Sequence, residues 1–263
     1  MKKSVKIIAA VIAALVIAAA AAAGVILFFG AGQNEQAAQS VQKQEEADPI
    51  EAEEEYQELQ GQVVEEKEDP YESVIDFEAL WEINPDVYAW IQIPGTNIDY
   101  PILQSVVEAD EYYLNTTIDG KTGYPGSIYT EKYNATDFSD PVTVVYGHNM
   151  KEGTMFSDLH NYTDRAFFDQ NAYIYIYLPD RTLKYQIFAA VAFDDRYLLG
   201  NYNFRDPADF QTYLDELRSS IDGNVNNEVQ VTQDSTILTL STCIGEYPDQ
   251  RWLVNATLVE VEE

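Results

Sequence analysis

Two short apolar runs in this chain each end on a chemically reactive side chain, and that shared form limits the folds open to it. Residues 235–243 read S-T-I-L-T-L-S-T-C. Ile237, Leu238 and Leu240 are apolar, Thr236 and Thr239 are β-branched, and the run delivers Cys243 to its C-terminal tip. Gly245 and Pro248 then force a loop, and Arg251 heads a further strand-like run at residues 252–261. Residues 141–148 read P-V-T-V-V-Y-G-H, a valine-rich strand with His148 just past its end. A fold that buries both runs side by side sets a thiol near an imidazole. A free thiol with a pKa of about 8.5 is only a few per cent ionised at neutral pH, so attack on a carbonyl needs such a partner.

The remaining pattern is mostly short strands. Residues 76–84 form a helix with Phe77, Leu80 and Trp81 on one buried stripe, closed by Pro85. Residues 88–93 and 98–103 read as strands about a Pro94-Gly95 turn, with Pro101 marking an edge or a bend. Residues 110–115 are a short helical or irregular piece, and residues 127–129 a short strand. Residues 153–169 are helical in part, with His160 read as a lone surface histidine. Residues 172–178 and 183–193 make a hairpin. Residues 194–235 form a long excursion, whose helix starts at Pro207 and buries Phe210, Tyr213, Leu214 and Leu217. About eight strands without strict βαβ alternation predict a mostly β fold with peripheral helices: a closed or nearly closed eight-stranded β-barrel with a helix ahead of it.

Charge and cysteine usage narrow the function classes. With 45 acidic residues against 15 Lys and Arg, the formal net charge is -30, which excludes nucleic-acid binding through phosphate neutralisation. The acid excess serves solubility; no D-x-D-x-D-G loop points to calcium. One cysteine excludes an internal disulfide and any CxxC motif. At the N-terminus Lys2, Lys3 and Lys6 precede an uncharged run at residues 7–29. As a helix it would reach about 35 Å, beyond a hydrocarbon core of about 30 Å. Residues 1–29 are therefore expected to be a cytoplasmic tip and transmembrane signal-anchor, with a cleaved signal peptide as the alternative. The expected localisation is the cell membrane, single-pass, with the catalytic domain extracellular. Residues 30–70, dense in Glu and Gln, read as a solvated acidic tether, extended or partly helical, and residues 71–263 as the catalytic domain.

T-L-S-T-C ending at Cys243, Y-G-H-N-M from Tyr146 to Met150 and Arg251 downstream resemble the sortases, the cysteine transpeptidases of Gram-positive surfaces. I-P-G-T-N-I-D-Y-P-I, G-H-N-M-K-E-G-T-M-F and Y-I-Y-I-Y-L-P-D resemble class B in particular. The resemblance implies that Cys243 attacks the carbonyl of a threonine in a sorting pentapeptide. It implies His148 as general acid and then base, and Arg251 as oxyanion or substrate-backbone donor. Leu114, Tyr146, Ser241 and Thr242 would line the substrate groove. The implied partners are surface proteins with an NPxTx- or xPxTG-like signal and a peptidoglycan amine as acceptor; the chemistry requires no metal or organic cofactor. A pilin-polymerising sortase, for which Asp69-Pro70-Tyr71 comes near a lid motif, and an idle sortase-fold scaffold are the alternatives. An L,D-transpeptidase would place His and Gly before the cysteine, where this chain has Ser241 and Thr242.

Overall fold

The computed structural model describes residues 46–245 and 247–262. The first described helix, α1 (Pro49–Val63), has Pro49 in its first turn and Asp48 as its cap. The Asp48 carboxylate accepts from Ile50 N (2.9 Å) and Glu51 N (3.2 Å). Most of its acids face out, Glu53 is half-buried and accepts from the Tyr100 hydroxyl (3.0 Å), and Ala52, Tyr56, Leu59 and Val63 are buried. The Tyr56 hydroxyl donates to the Gly126 carbonyl (3.1 Å), and its ring meets Tyr100 edge-on at 5.6 Å. This part of the expected tether is therefore a packed helix. Its apolar stripe is one residue wide per turn, so composition conceals it. Tyr56→Ala should lower unfolding free energy by about 3–5 kcal/mol, as for other buried aromatics cut to Ala, read by denaturant titration. A loss near zero would return the segment to a tether.

The described residues also correct the expected membrane placement. Among them no helix is long and apolar enough to cross a membrane. α1, with 15 residues, would reach only about 22 Å, and it carries five glutamates (Glu51, Glu53, Glu54, Glu55, Glu58). The run at residues 7–29 lies outside the described residues.

After α1, β1 (Val64–Glu65) and β2 (Val74–Ile75) form a small ribbon, followed by α2 (Phe77–Ile83). Phe77 and Leu80 are buried as expected, but Trp81 is 43% exposed. Its indole N–H donates to the Val87 carbonyl (2.8 Å), so the ring lies across the mouth of the next strand instead of entering the core.

Next come β3 (Val87–Gln92), β4 (Asp99–Leu103), β5 (Ile128–Tyr129) and β6 (Val142–Tyr146). α3 (Arg165–Gln170), β7 (Tyr173–Tyr177), β8 (Thr182–Asp194), α4 (Leu198–Asn201) and α5 (Pro207–Ser219) follow. β9 (Gly223–Val225), β10 (Ile237–Ile244) and β11 (Tyr247–Glu262) end the chain. The sheet runs β11-β10-β6-β5-β4-β3-β7-β8, and β11 pairs with β8, which closes an eight-stranded barrel. β9 adds to the outside of β8. The β6–β10 and β4–β5 pairs are parallel, and the others in the ring antiparallel. Closure removes exposed edges.

β6 and β10 are buried on both faces, which explains their near-continuous apolar runs. Val145, Leu238 and Leu240 join the barrel interior. Val142, Val144 and Ile237 instead meet Phe210, Tyr213, Leu214 and Leu217 of α5 in a second core. α5 is tied there by the Tyr213 hydroxyl, which donates to Asn255 Oδ1 (2.8 Å). The two strands bearing His148 and Cys243 at their ends are thus held between two cores.

Candidate active site

β10 is buried from Ile237 to Thr242, and its next side chain, Cys243, is exposed. The reason lies in the pairing. Cys243 opposes Arg251 across β10–β11, and the register then shifts between Cys243 and Ile244. The shift leaves residues 248–250 of β11 without β10 partners, and β6 pairs β10 only as far as Ser241, so Cys243 keeps a ladder partner on one side alone. On the other side β6 runs parallel to β10 with Tyr146 opposite Ser241, and Gly147 N extends the ladder to the Ser241 carbonyl (3.2 Å). His148 follows at once. The two strand ends that sequence spacing singled out are neighbours, and Arg251 lies across from the thiol.

These side chains line one cleft of about 300 Å³ together with Leu114, Tyr146, Ser241 and Thr242. Every residue singled out from the sequence for catalysis or substrate contact thus borders the same space. The cleft also takes Tyr129 at the end of β5, Glu131 just after it, and residues 194–198 from the start of the long excursion. In the structure only those first residues reach the cleft, because the α5 stripe serves the second core.

His148 is fixed on two sides. Its Nε2 lies 2.7 Å from the Leu114 carbonyl. A carbonyl only accepts, so Nε2 carries the hydrogen and Nδ1 keeps the lone pair. Tyr124, 56% exposed, packs its ring edgewise on the imidazole at 4.8 Å. Burial pulls the imidazole pKa below its ordinary value, and the bond to the Leu114 carbonyl works against that. A neutral imidazole with a free Nδ1 is a proton acceptor. Glu131, in the same cleft, has its carboxyl pushed up by burial, which the Asp110 and Glu111 charges reinforce and the Tyr197 hydroxyl offsets.

The Leu114 carbonyl depends on a glycine. Gly126 has φ +66°, and a Cβ there would stand 2.3 Å from Leu114 O. Gly126→Ala should cost about 1–2 kcal/mol from the left-handed backbone alone. Pushing the carbonyl away also releases the His148 ring, so kcat should fall further than stability accounts for, by about tenfold. Peptide-cleavage rates beside a melting curve test this; unchanged kcat would refute it.

Arg251 is half-buried, and its Nη1 donates to the carbonyls of Pro248 and Gln250, both at 2.9 Å. One nitrogen of the guanidinium therefore shapes the β10–β11 turn. Two further side chains reach Cys243 unexpectedly: Asn149 and His160 both bond its carbonyl oxygen. The sequence reading of His160 as a lone surface residue is corrected, since it is half-buried and stacks on Trp252 at 5.9 Å. One signal was available: the chain has only two histidines, and both are at this site. Tyr124 carried no sequence signal.

A thiol and an imidazole at adjacent strand ends in a closed mixed barrel define a cysteine acyl-transfer class. Relatives narrow the class. The Sortase domain model matches residues 91–259. Sortase B of Listeria monocytogenes is 32% identical over 182 residues, covering 68% of this chain and 72% of that protein. The X-ray structure of Clostridium perfringens sortase B superposes with a TM-score of 0.64 at 29% identity, covering 70% of this chain and 100% of that one. The Staphylococcus aureus sortase B–substrate complex gives a TM-score of 0.64 at 27% identity, over 80% and 97%. The chain belongs to the sortase family, in class B. It is a cysteine transpeptidase of cell-wall sorting.

Proposed function

We propose that Cys243 is the nucleophile, His148 the proton carrier and Arg251 the donor to the developing oxyanion. The substrate is a surface protein with an NPxTx- or xPxTG-like signal, and the acceptor is a peptidoglycan amine. As Sγ attacks the threonine carbonyl, Nδ1 of His148 takes the thiol proton and a C–S bond forms. Collapse breaks the peptide C–N bond, and the imidazolium gives that proton to the leaving amine. The acceptor amine then attacks the thioester and loses a proton to Nδ1. A new amide forms, the C–S bond breaks, and the sulfur is reprotonated. Arg251 steadies the negative oxygen in both additions. Leu114, Tyr146, Ser241 and Thr242 line the groove that holds the peptide.

The observation that supports this most is the shared cleft: the only cysteine of the chain is exposed in the same space as a half-buried, neutral-leaning imidazole. The test incubates the full chain with a panel of fluorogenic sorting peptides, with and without an amine acceptor, beside Cys243→Ala. Cleavage that needs Cys243, with an amide product only when amine is present, is the expected result. Cleavage by Cys243→Ala at the parent rate would overturn the reading.

A further inference from the structure

The carbonyl oxygen of Cys243 lies next to a β-bulge, where the β10–β11 register shifts between Cys243 and Ile244. Two side chains converge on it. Asn149 Nδ2 lies 3.2 Å away and His160 Nε2 3.0 Å away, and the two nitrogens are 3.1 Å from each other. A carbonyl oxygen has two lone pairs, so it can accept from both. His160 Nε2 must then carry a hydrogen and cannot also accept from Asn149. The short distance between the nitrogens follows from their shared target.

Each donor comes from a different part of the cleft wall. Asn149 is the residue after His148. Its loop is closed by a bridge between Asn149 and Met155 and by Phe156 N donating to the His148 carbonyl (2.9 Å). His160 comes from the 3-10 turn Ser157–Thr163, and its ring stacks on Trp252 of β11 at 5.9 Å. The Trp252 indole N–H in turn donates to the Leu159 carbonyl (2.8 Å). So the segment carrying His148, the turn carrying His160 and both strands of the β10–β11 pair are joined at one oxygen, which belongs to Cys243.

We infer that Asn149 and His160 are positioning residues, which hold the peptide plane of Cys243 so that its Sγ is presented to His148. The inference rests on the proposed roles of Cys243 and His148. Beyond the β6 pairing Cys243 is laddered to β11 alone, and a strand end paired on one side only can rotate its peptide plane. The two donors remove that rotation. Neither side chain touches the reacting atoms, so their effect falls on kcat and not on peptide affinity.

Two substitutions separate the hydrogen bond from packing. His160→Phe keeps an aromatic ring against Trp252 but loses the donor, while His160→Gln keeps an N–H donor and loses the ring. Asn149→Asp turns the second donor into an acceptor. In the full chain, on the fluorogenic peptide that the parent cleaves fastest, His160→Phe should lower kcat about tenfold with KM unchanged. Asn149→Asp should lower it about thirtyfold, and the double variant a hundredfold or more, in the range that small misplacements cost. His160→Gln should stay within about threefold of the parent. Alkylation of Cys243 by iodoacetamide should slow in the same order, and melting midpoints should stay level. If His160→Phe unfolds, the half-exposed Asn149 carries the test through Asn149→Asp. Parent-like kcat in Asn149→Asp and in folded His160→Phe would overturn the inference, as would losses confined to KM. Cys243→Ala runs alongside: if it alone is inactive, the nucleophile stands and the clamp falls. If it cleaves at the parent rate, the nucleophile falls and the clamp with it.

Discussion

His148→Ala is expected to lower kcat/KM for peptide cleavage by about a hundred- to ten-thousandfold, the range spanned by positioned acid–base groups. The proposed role also predicts which nitrogen acts. Nε2–H is held by the Leu114 carbonyl at 2.7 Å, which leaves Nδ1 as the nitrogen to take and return the proton in that proposal. His148→Gln should therefore be almost as damaging as alanine, since its amide presents a donor and a poor base. The pH profile follows with a definite sign. Burial lowers the folded pKa of His148 below the ordinary value of 6.5. Above 6.5 the ring is neutral and competent; as pH falls through the lowered folded value, Nδ1 gains a proton and acceptance of the thiol proton is lost. The acid limb of kcat/KM should lie below pH 6.5 and vanish from the residual activity of His148→Gln. Stability shares that sign. The unfolded chain protonates this ring more readily, so its contribution is full above pH 6.5 and declines on acidification through the folded pKa. An acid limb above pH 6.5 would contradict the assignment of burial as the dominant influence.

The second large effect is at Arg251. Arg251→Ala should reduce kcat by about a hundred- to a thousandfold, comparable to removing one oxyanion donor. Arg251→Lys should recover little of it. The guanidinium donates from one nitrogen to both Pro248 and Gln250 carbonyls at 2.9 Å and has other N–H groups for the substrate. A single ammonium cannot hold the turn and meet an oxyanion together. Because Arg251 opposes Cys243 across β10–β11, its loss could act by loosening the turn. Hydrogen exchange at Cys243 and Ile244 distinguishes the cases: parent-like protection with low kcat supports direct donation. Full activity in Arg251→Lys would show that charge alone suffices.

Much of this site was legible before any coordinates. The residue types at the strand ends were plain because strands need apolar or β-branched residues and their ends are marked by Gly and Pro. Cys243, His148 and Arg251 are read that way, whereas the groove residues Leu114, Tyr146, Ser241 and Thr242 are implied only by the family resemblance. The packing of the acidic helix α1 was not legible. Its stripe of Ala52, Tyr56, Leu59 and Val63 holds one apolar residue per turn among five glutamates, and composition outweighs so sparse a pattern. Trp81 was expected inward because i, i+3 and i+4 spacing marks a face but not how far around it burial extends. His160 was misread because its partner is a backbone oxygen 83 residues away, and no local pattern encodes that.

The chain by itself determined the class of fold and the reactive groups. Strand periodicity depends on neighbours in sequence, and a single cysteine with two histidines leaves few arrangements. Tertiary structure alone decided how those groups are held. It assigned the tautomer of His148 through Leu114, set Cys243 just past the end of the β6 pairing, and brought Asn149 and His160 to its carbonyl. It also turned α5 toward the outer face of β6 and β10 instead of the cleft. Each of these depends on hydrogen bonds and packing between distant segments, whose partners are fixed only once the barrel has closed.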